Sequence, residues 1–143
     1  MTQEEKDLLL KDLCARLPYE PMLKVVEHTN NTEADTVLQW KHLEYIKWSS
    51  HIDIKPYLRP ISSMTEEEMD KLFDILHIDK QGKGRDWIKI NDDAGIKFLL
   101  PTGRWIEDID AALSYLRSIH IDIIGLIEKG LALEALEGMY KED

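Results

Sequence analysis

The segment TEEEMDKLFDILH, residues 65–77, carries the clearest structural signal in the chain. Thr65 and Glu68 form a capping pair, in which each side chain satisfies a free backbone N–H of the other residue at a helix start. Apolar residues then recur at helical spacing on one face: Met69, Leu72, Phe73 and Leu76. The spacing predicts an amphipathic helix with Leu72 and Phe73 buried in a core.

The N-terminus repeats this pattern. Thr2 and Glu5 form a second capping pair, and leucines follow at intervals of four: Leu9, Leu13 and Leu17. We expect this helix to end at Pro18, because proline disfavours helical backbone in the residue before it. Cys14 lies beside the leucine stripe and is expected to be a buried structural thiol, since a reactive thiolate needs nearby positive charge and partial exposure.

Between these helices the composition favours strands. Residues 22–54 are rich in Val, Ile, Thr, Trp and Tyr, with an Asn-Asn turn signal at 30–31, and predict a meander of about three strands. Residues 37–48 also carry apolar residues spaced by three, so a short helical turn is an alternative there. KPYLRP, residues 55–60, is predicted to be an edge strand or a strap and not a central strand, because proline cannot donate to a ladder.

The C-terminal half predicts a hairpin and a third helix. Residues 87–90 and 96–100 read as paired strands, and residues 106–116 carry apolar residues at helical spacing. Residues from Glu137 are expected to fray. The chain is therefore predicted to be α+β, with a small antiparallel meander or hairpin sheet packed with about three amphipathic helices. At 143 residues it is predicted to be a single domain over residues 1–143.

The chain is acidic, with 28 Asp and Glu against 18 Lys and Arg and a formal charge of −10. Such a surface repels phosphate backbones, so generic nucleic-acid binding is disfavoured. The lone Cys14 has no internal disulfide partner, and the N-terminal sequence lacks the features of a signal peptide. These two features predict a cytoplasmic location. Because no apolar run approaches about 18 residues, we also expect no segment that crosses a membrane.

The tripeptide His-Ile-Asp occurs three times, at residues 51–53, 77–79 and 120–122. Two copies brought together would offer imidazole and carboxylate ligands to a divalent cation. Histidine near a helix end and aspartate in a turn are also ordinary capping residues, and we prefer that interpretation. His28 and His42 have no nucleophile pattern nearby. The sequence therefore predicts no catalytic residue, no metal site and no cofactor.

Two small loops form a candidate ligand site. GKGR, residues 82–85, and TGR, residues 102–104, carry backbone donors and cations that suit a phosphate or carboxylate, although neither matches a Walker or dinucleotide-binding loop. A base could stack on the adjacent tryptophans while the arginines bind a phosphate. This hypothesis uses four residues: Arg85, Trp87, Arg104 and Trp105. Its alternative is that these are core tryptophans and solvated arginines.

Several segments together carry a resemblance to a known family. They are LLLKDLCARLPY at residues 8–19, KPYLRP at 55–60, SSMTEEEMDKL at 62–72, and GLIEKGLALEA with EGMY at 125–135 and 137–140. In this order they resemble a family of uncharacterised small proteins from gut anaerobic bacteria and their phages and mobile elements. The resemblance implies a shared scaffold and a mobile-element context, and it brings no activity, cofactor or catalytic residue.

The functional prediction follows from a foldable core without catalytic motifs. We expect a non-enzymatic accessory or protein-interaction protein, which presents its β region and acidic surface to a protein partner of unknown identity. The alternative is a small-anion or nucleotide-binding protein that sequesters its ligand with the Trp and Arg side chains named above.

Overall fold

The computed structural model describes residues 2–76, 88–91, 95–99, 105–106 and 110–140, with side chains for 2–72, 74–75 and 111–140. It has four α-helices in these residues: α1 (Gln3–Arg16), α2 (Trp40–Trp48), α3 (Glu66–Leu76) and α4 (Asp110–Ser118). The strands are β1 (Met22–Glu27), β2 (Thr32–Val37), β3 (Ile52–Leu58), β4 (Ile88–Asn91), β5 (Gly95–Leu99), β6 (Trp105–Ile106) and β7 (Leu133–Glu134). The predicted α+β class is confirmed.

The chain divides into two compact units. Unit 1 consists of Met1–Leu58 and Leu126–Asp143, and unit 2 is the continuous segment Arg59–Gly125. Unit 1 contains α1, α2 and a four-stranded sheet in the order β2-β1-β3-β7. Unit 2 contains α3, α4 and a three-stranded sheet in the order β4-β5-β6. The single domain over residues 1–143 stays a prediction.

Helix α1 begins as predicted. The Glu5 amide donates to Thr2 Oγ1 at 3.1 Å, and the Thr2 amide donates to Glu5 Oε1 at 2.8 Å. Leu9 and Leu13 are buried, but Cys14 is exposed, so the prediction of a buried thiol was wrong. The reason is the direction of the buried face, which runs through Leu9, Leu13 and Arg16 and leaves Cys14 more than a quarter-turn away.

A charged pair completes that buried face. Arg16 Nε donates to Asp12 Oδ2 at 2.7 Å, and its Nη2 approaches Asp12 Oδ1 at 3.3 Å. The Arg16 side chain is 0 % exposed. The carboxylate and guanidinium at i and i+4 neutralise one another, which allows two charged residues to occupy positions of the helix that face the core.

Two predictions about the strand region need correction. Residues 40–48 form α2, so the helical alternative is right and a helix separates the second strand from the third. Residues 55–58 belong to β3, which lies between β1 and β7 and is not an edge strand or a strap. β1 pairs antiparallel with β2 and β3, whereas the two residues of β7 pair parallel with β3.

The hydrogen-bond alternation explains how Pro56 fits inside the sheet. The His28 amide donates to the His51 carbonyl oxygen at 2.8 Å, which makes this pair a hydrogen-bonded one. In an antiparallel ladder the pairs alternate, so Lys24 and Lys55 are hydrogen-bonded and Leu23 and Pro56 are not. The missing N–H of Pro56 therefore removes no bond to β1, and pairing with β7 starts only at the following residue.

The C-terminal segment is anchored in unit 1. The Tyr140 hydroxyl donates to the Tyr57 carbonyl oxygen at 2.6 Å and accepts from the Met22 amide at 2.7 Å. Burial raises the pKa of Tyr140 to about 12. The expected fraying from Glu137 therefore does not extend to Tyr140.

Unit 2 has a small apolar core between α3 and α4. Its buried residues are Met64, Met69, Leu72, Ala112, Leu116, Ile121 and Ile123. Leu72 is buried as predicted, and the side chain of Phe73 lies outside the described set. β4 and β5 pair antiparallel as predicted, whereas Ile106, which was expected to belong to the third helix, pairs with Phe98 as part of β6.

Arg59 connects three segments of unit 2. Its guanidinium donates to both carboxylate oxygens of Glu68 at 2.8 and 2.7 Å, to the Ser63 carbonyl oxygen at 3.0 Å and to the Ile119 carbonyl oxygen at 3.2 Å. Glu68 also closes the predicted cap with Thr65, at 2.9 and 3.2 Å. Hydrogen bonds from Arg59 hold the pKa of Glu68 below its usual range.

We expect Arg59→Met to lower the free energy of unfolding by about 3 kcal/mol, because it leaves a largely buried carboxylate without its cation. Arg59→Lys should recover less than half of this loss, since lysine cannot make the two-pronged contact. Thr65→Ala is the control and should cost about 1 kcal/mol. Chemical denaturation of the four proteins measures these differences, and equal costs for Arg59→Met and Thr65→Ala would contradict the assigned role.

Candidate interaction surface

Helix α2 carries the largest exposed aromatic groups described in the structure. Trp40 and Trp48 are 71 % and 73 % exposed, and Tyr45 is also exposed. Tryptophan is normally buried to a large extent, because exposing its large, mostly apolar ring to water is unfavourable. Two such rings on a nine-residue helix are therefore unusual. We call the face formed by Trp40, Tyr45 and Trp48 the aromatic face.

The helix geometry places these rings outside the buried side of α2. The residues that face the interior are His42, Leu43 and Ile46. Each residue turns the helix by about 100°, so Trp40 and Trp48 lie about 80° apart around the axis and about 12 Å apart along it. Both directions point away from the mean direction of the three buried residues. The two tryptophan rings thus lie on the same solvent-facing side of the helix.

Lysines accompany the aromatic face. Lys47 Nζ lies 5.1 Å from the centre of the Trp48 ring, a cation–π contact that helps to orient the ring. With Lys41 on the same helix and Glu44 between them, α2 has a net positive charge in a chain whose formal charge is −10. The aromatic face is therefore a local exception to the acidic character of the protein.

His42 fixes the N-terminal end of α2. The Gln39 amide donates to His42 Nδ1 at 2.9 Å, which requires a lone pair on that nitrogen. Burial lowers the pKa of His42, and the positive charge of Lys41 lowers it further. The neutral ring thus serves as the helix cap, beside which Trp40 begins the helix.

The sequence suggested this face only in part. Trp40 is one of four apolar residues spaced by three, with Val37, Leu43 and Ile46, and this spacing predicted a helical turn only as an alternative to strands. Trp40 and Trp48 are eight residues apart, a spacing that places them on the same side of a helix and of a strand alike. It therefore did not resolve the ambiguity between helix and strand, and the exposure of the two rings could not be predicted from it.

The predicted anion or nucleotide site lies largely outside the residues that the structure describes. Arg85, Trp87 and Arg104 lie outside the described residues. Trp105 begins β6 and pairs with Leu99, while its side chain lies outside the described set. That the four residues converge on one ligand stays a prediction.

The His-Ile-Asp copies occupy different settings. His51 and Asp53 lie at the start of β3, where Asp53 pairs with His28 at 2.7 Å and not with His51. His120 and Asp122 follow α4, where backbone bonds connect both residues to Arg59. Residues 77–79 lie outside the described residues. Within the residues that the structure describes, no three His, Cys, Asp or Glu side chains gather as metal ligands.

Comparisons with protein-family models, with curated proteins and with solved structures give no match for this chain. The resemblance to small proteins of gut bacteria and their mobile elements therefore stays a prediction. In the part of the chain that the structure covers, no helix combines the length and the apolar character needed to span a membrane.

The cap at His42 predicts a pH dependence. The folded-state pKa lies below the ordinary value of about 6.5, so the unfolded chain takes up the proton first as the pH falls. The stabilisation is present above about pH 6.5 and is lost below it. His42→Asn, which keeps an acceptor near the position of Nδ1, should show a smaller fall in melting temperature between about pH 7.5 and 5.5 than the wild type.

The control is His51→Asn, at an exposed position of the same unit. This variant should follow the wild-type pH profile of melting temperature. Identical slopes for the wild type and His42→Asn would show that His42 is not the titrating cap.

Proposed function

We propose that this chain is a non-enzymatic protein-interaction protein, and that it contacts its partner through the aromatic face of α2. The observation that supports this function is the exposure of Trp40 and Trp48 on one side of one helix. The cytoplasmic location and the association with phages or mobile elements belong to the same proposal and rest on the sequence.

The energetic argument comes from the rings themselves. Tryptophan presents about 150 to 250 Å² of surface, and more than two-thirds of it is in water at both positions. Covering it is worth about 3 kcal/mol for each ring at about 25 cal/mol per Å², before the costs of association. Tryptophan is also the residue most enriched among those that dominate binding energy at protein interfaces.

The charge of α2 defines the partner further. An apolar groove with carboxylates at its rim would cover both rings and pair with Lys41 and Lys47. The rest of this acidic chain would repel such a partner, so the attraction is confined to α2. The partner is therefore a protein with an acidic-rimmed apolar groove that accepts one face of a helix.

The test compares variants that keep the fold. Trp40→Ser and Trp48→Ser together should abolish recovery of the partner from the native host and leave the melting temperature nearly unchanged. Against the purified partner, each single change should weaken binding by about thirtyfold, corresponding to about 2 kcal/mol. Leu136→Ser is the matched control, because Leu136 is also exposed, at 59 %, but lies outside α2. Recovery of the partner with the double variant would contradict the proposal.

The nucleotide-binding alternative has its own test. A nucleotide held by Arg85, Trp87, Arg104 and Trp105 at about a hundred times its dissociation constant should raise stability by about 2.7 kcal/mol. A thermal-shift screen of nucleotides and cyclic nucleotides should then show a shift that Arg85→Ala with Arg104→Ala removes. The absence of a shift with every nucleotide would remove this alternative.

A further inference from the structure

Strand β2 forms an edge of the unit 1 sheet as described, since it pairs with β1 alone. It is six residues long, and residues 32–35 are all exposed. An edge strand presents backbone N–H and C=O groups that another extended chain can bond. Alternation along the strand decides which residues of β2 direct these groups outward.

Two hydrogen bonds identify, independently of one another, the residues of β2 whose backbone groups point outward. The Leu38 amide donates to the Pro21 carbonyl oxygen at 2.9 Å, which makes this pair hydrogen-bonded at one end of the β1–β2 ladder. Alternation then gives the hydrogen-bonded pairs of that ladder: Leu23–Thr36, Val25–Ala34 and Glu27–Thr32. The bond from His28 to His51 leads to the same result, because β1 residues that bond to β3 cannot also bond to β2.

Glu33, Asp35 and, at the end of the strand, Val37 therefore turn their backbone N–H and C=O groups to the open edge. The side chains of Glu33 and Asp35 lie on the sheet face that carries Val26 and Lys24, their partners on β1. The Tyr57 hydroxyl donates to Asp35 Oδ1 at 2.9 Å and orients that carboxylate. Glu33 is 65 % exposed and has only a long contact to Lys24, at 3.7 Å. The outward backbone groups and two carboxylates thus coincide.

We propose that the β2 edge binds an extended basic segment of a protein, which adds as a strand with arginine or lysine opposite Glu33 and Asp35. Residues facing each other in such a pair have Cα atoms about 5.5 Å apart, close enough for opposite charges to stabilise the ladder. Basic residues at alternate positions of the segment meet both carboxylates on one face. The residues between them lie on the face of Ala34 and Thr36, where small or β-branched side chains fit.

The same carboxylates select against a second copy of this chain. Antiparallel pairing of two β2 edges would bring four carboxylates together on one face, and like charges at such positions are destabilising. The carboxylates that would destabilise pairing with a second β2 stabilise pairing with a basic strand. This surface lies on a different element from the aromatic face, so either surface can fail without the other.

The experiment uses the full chain and blocked seven-residue peptides that alternate arginine with threonine or valine. The plain peptide should bind, and a peptide N-methylated at the arginines should not, because those amides face β2. Methylation at the intervening residues should leave binding intact, since those amides point away. Isothermal titration at low and moderate salt measures the affinities.

Two variants of β2 complete the test. Glu33→Pro removes an outward N–H and no bond to β1, so the fold should persist while peptide affinity falls by about tenfold or more beyond the fall in Glu33→Gln. The double change Trp40→Ser and Trp48→Ser should leave peptide affinity unchanged. Equal binding of the two methylated peptides would mean that the peptide adheres by charge alone and would overturn strand addition, as would no binding of the plain peptide.

Discussion

Strand β1 bonds to β2 on one side and to β3 on the other. This double pairing decides to which side the backbone groups of each residue in these three strands point. Because each residue of β1 can direct its backbone groups to only one neighbour, the register with β3 also decides the register with β2. The position of Pro56 in β3 and the outward backbone groups of Glu33 both follow from this alternation. Side chains alternate with the same period, so Leu23 is buried while Lys24 is only half-buried.

The elements that could be predicted from the sequence rest on short-range interactions. The caps at Thr2 and Thr65 each involve two residues three positions apart, so no knowledge of the remaining chain was needed. Helix α2 depended on distinguishing two spacings in one segment. The buried face of α1 includes the ion pair between Asp12 and Arg16, and Cys14 lies outside this face. A pattern of apolar residues does not reveal that two charged residues are buried. Tyr140 and its partners are more than eighty residues apart in sequence.

The two proposed surfaces show why a total charge is a poor guide to binding. The formal charge of −10 disfavours nucleic acid in general, yet it is distributed unevenly over single elements of the structure. On α2, two lysines accompany exposed aromatic rings and suit an acidic partner. On β2, two carboxylates accompany open backbone groups and suit a basic one. Each surface joins a short-range apolar or backbone contact to a charge that restricts which partner can use it.

The anchoring of Tyr140 has a consequence for the order in which the chain acquires its structure during synthesis. Unit 1 is discontinuous, because β7 and Tyr140 come from the segment Leu126–Asp143. Its sheet cannot gain its fourth strand, or the bonds to Met22 and Tyr57, until β7 and Tyr140 have left the ribosome. Unit 2 is continuous, and its residues Arg59–Gly125 emerge earlier. The N-terminal segment of unit 1 is therefore translated before unit 2, whereas unit 1 is completed after it.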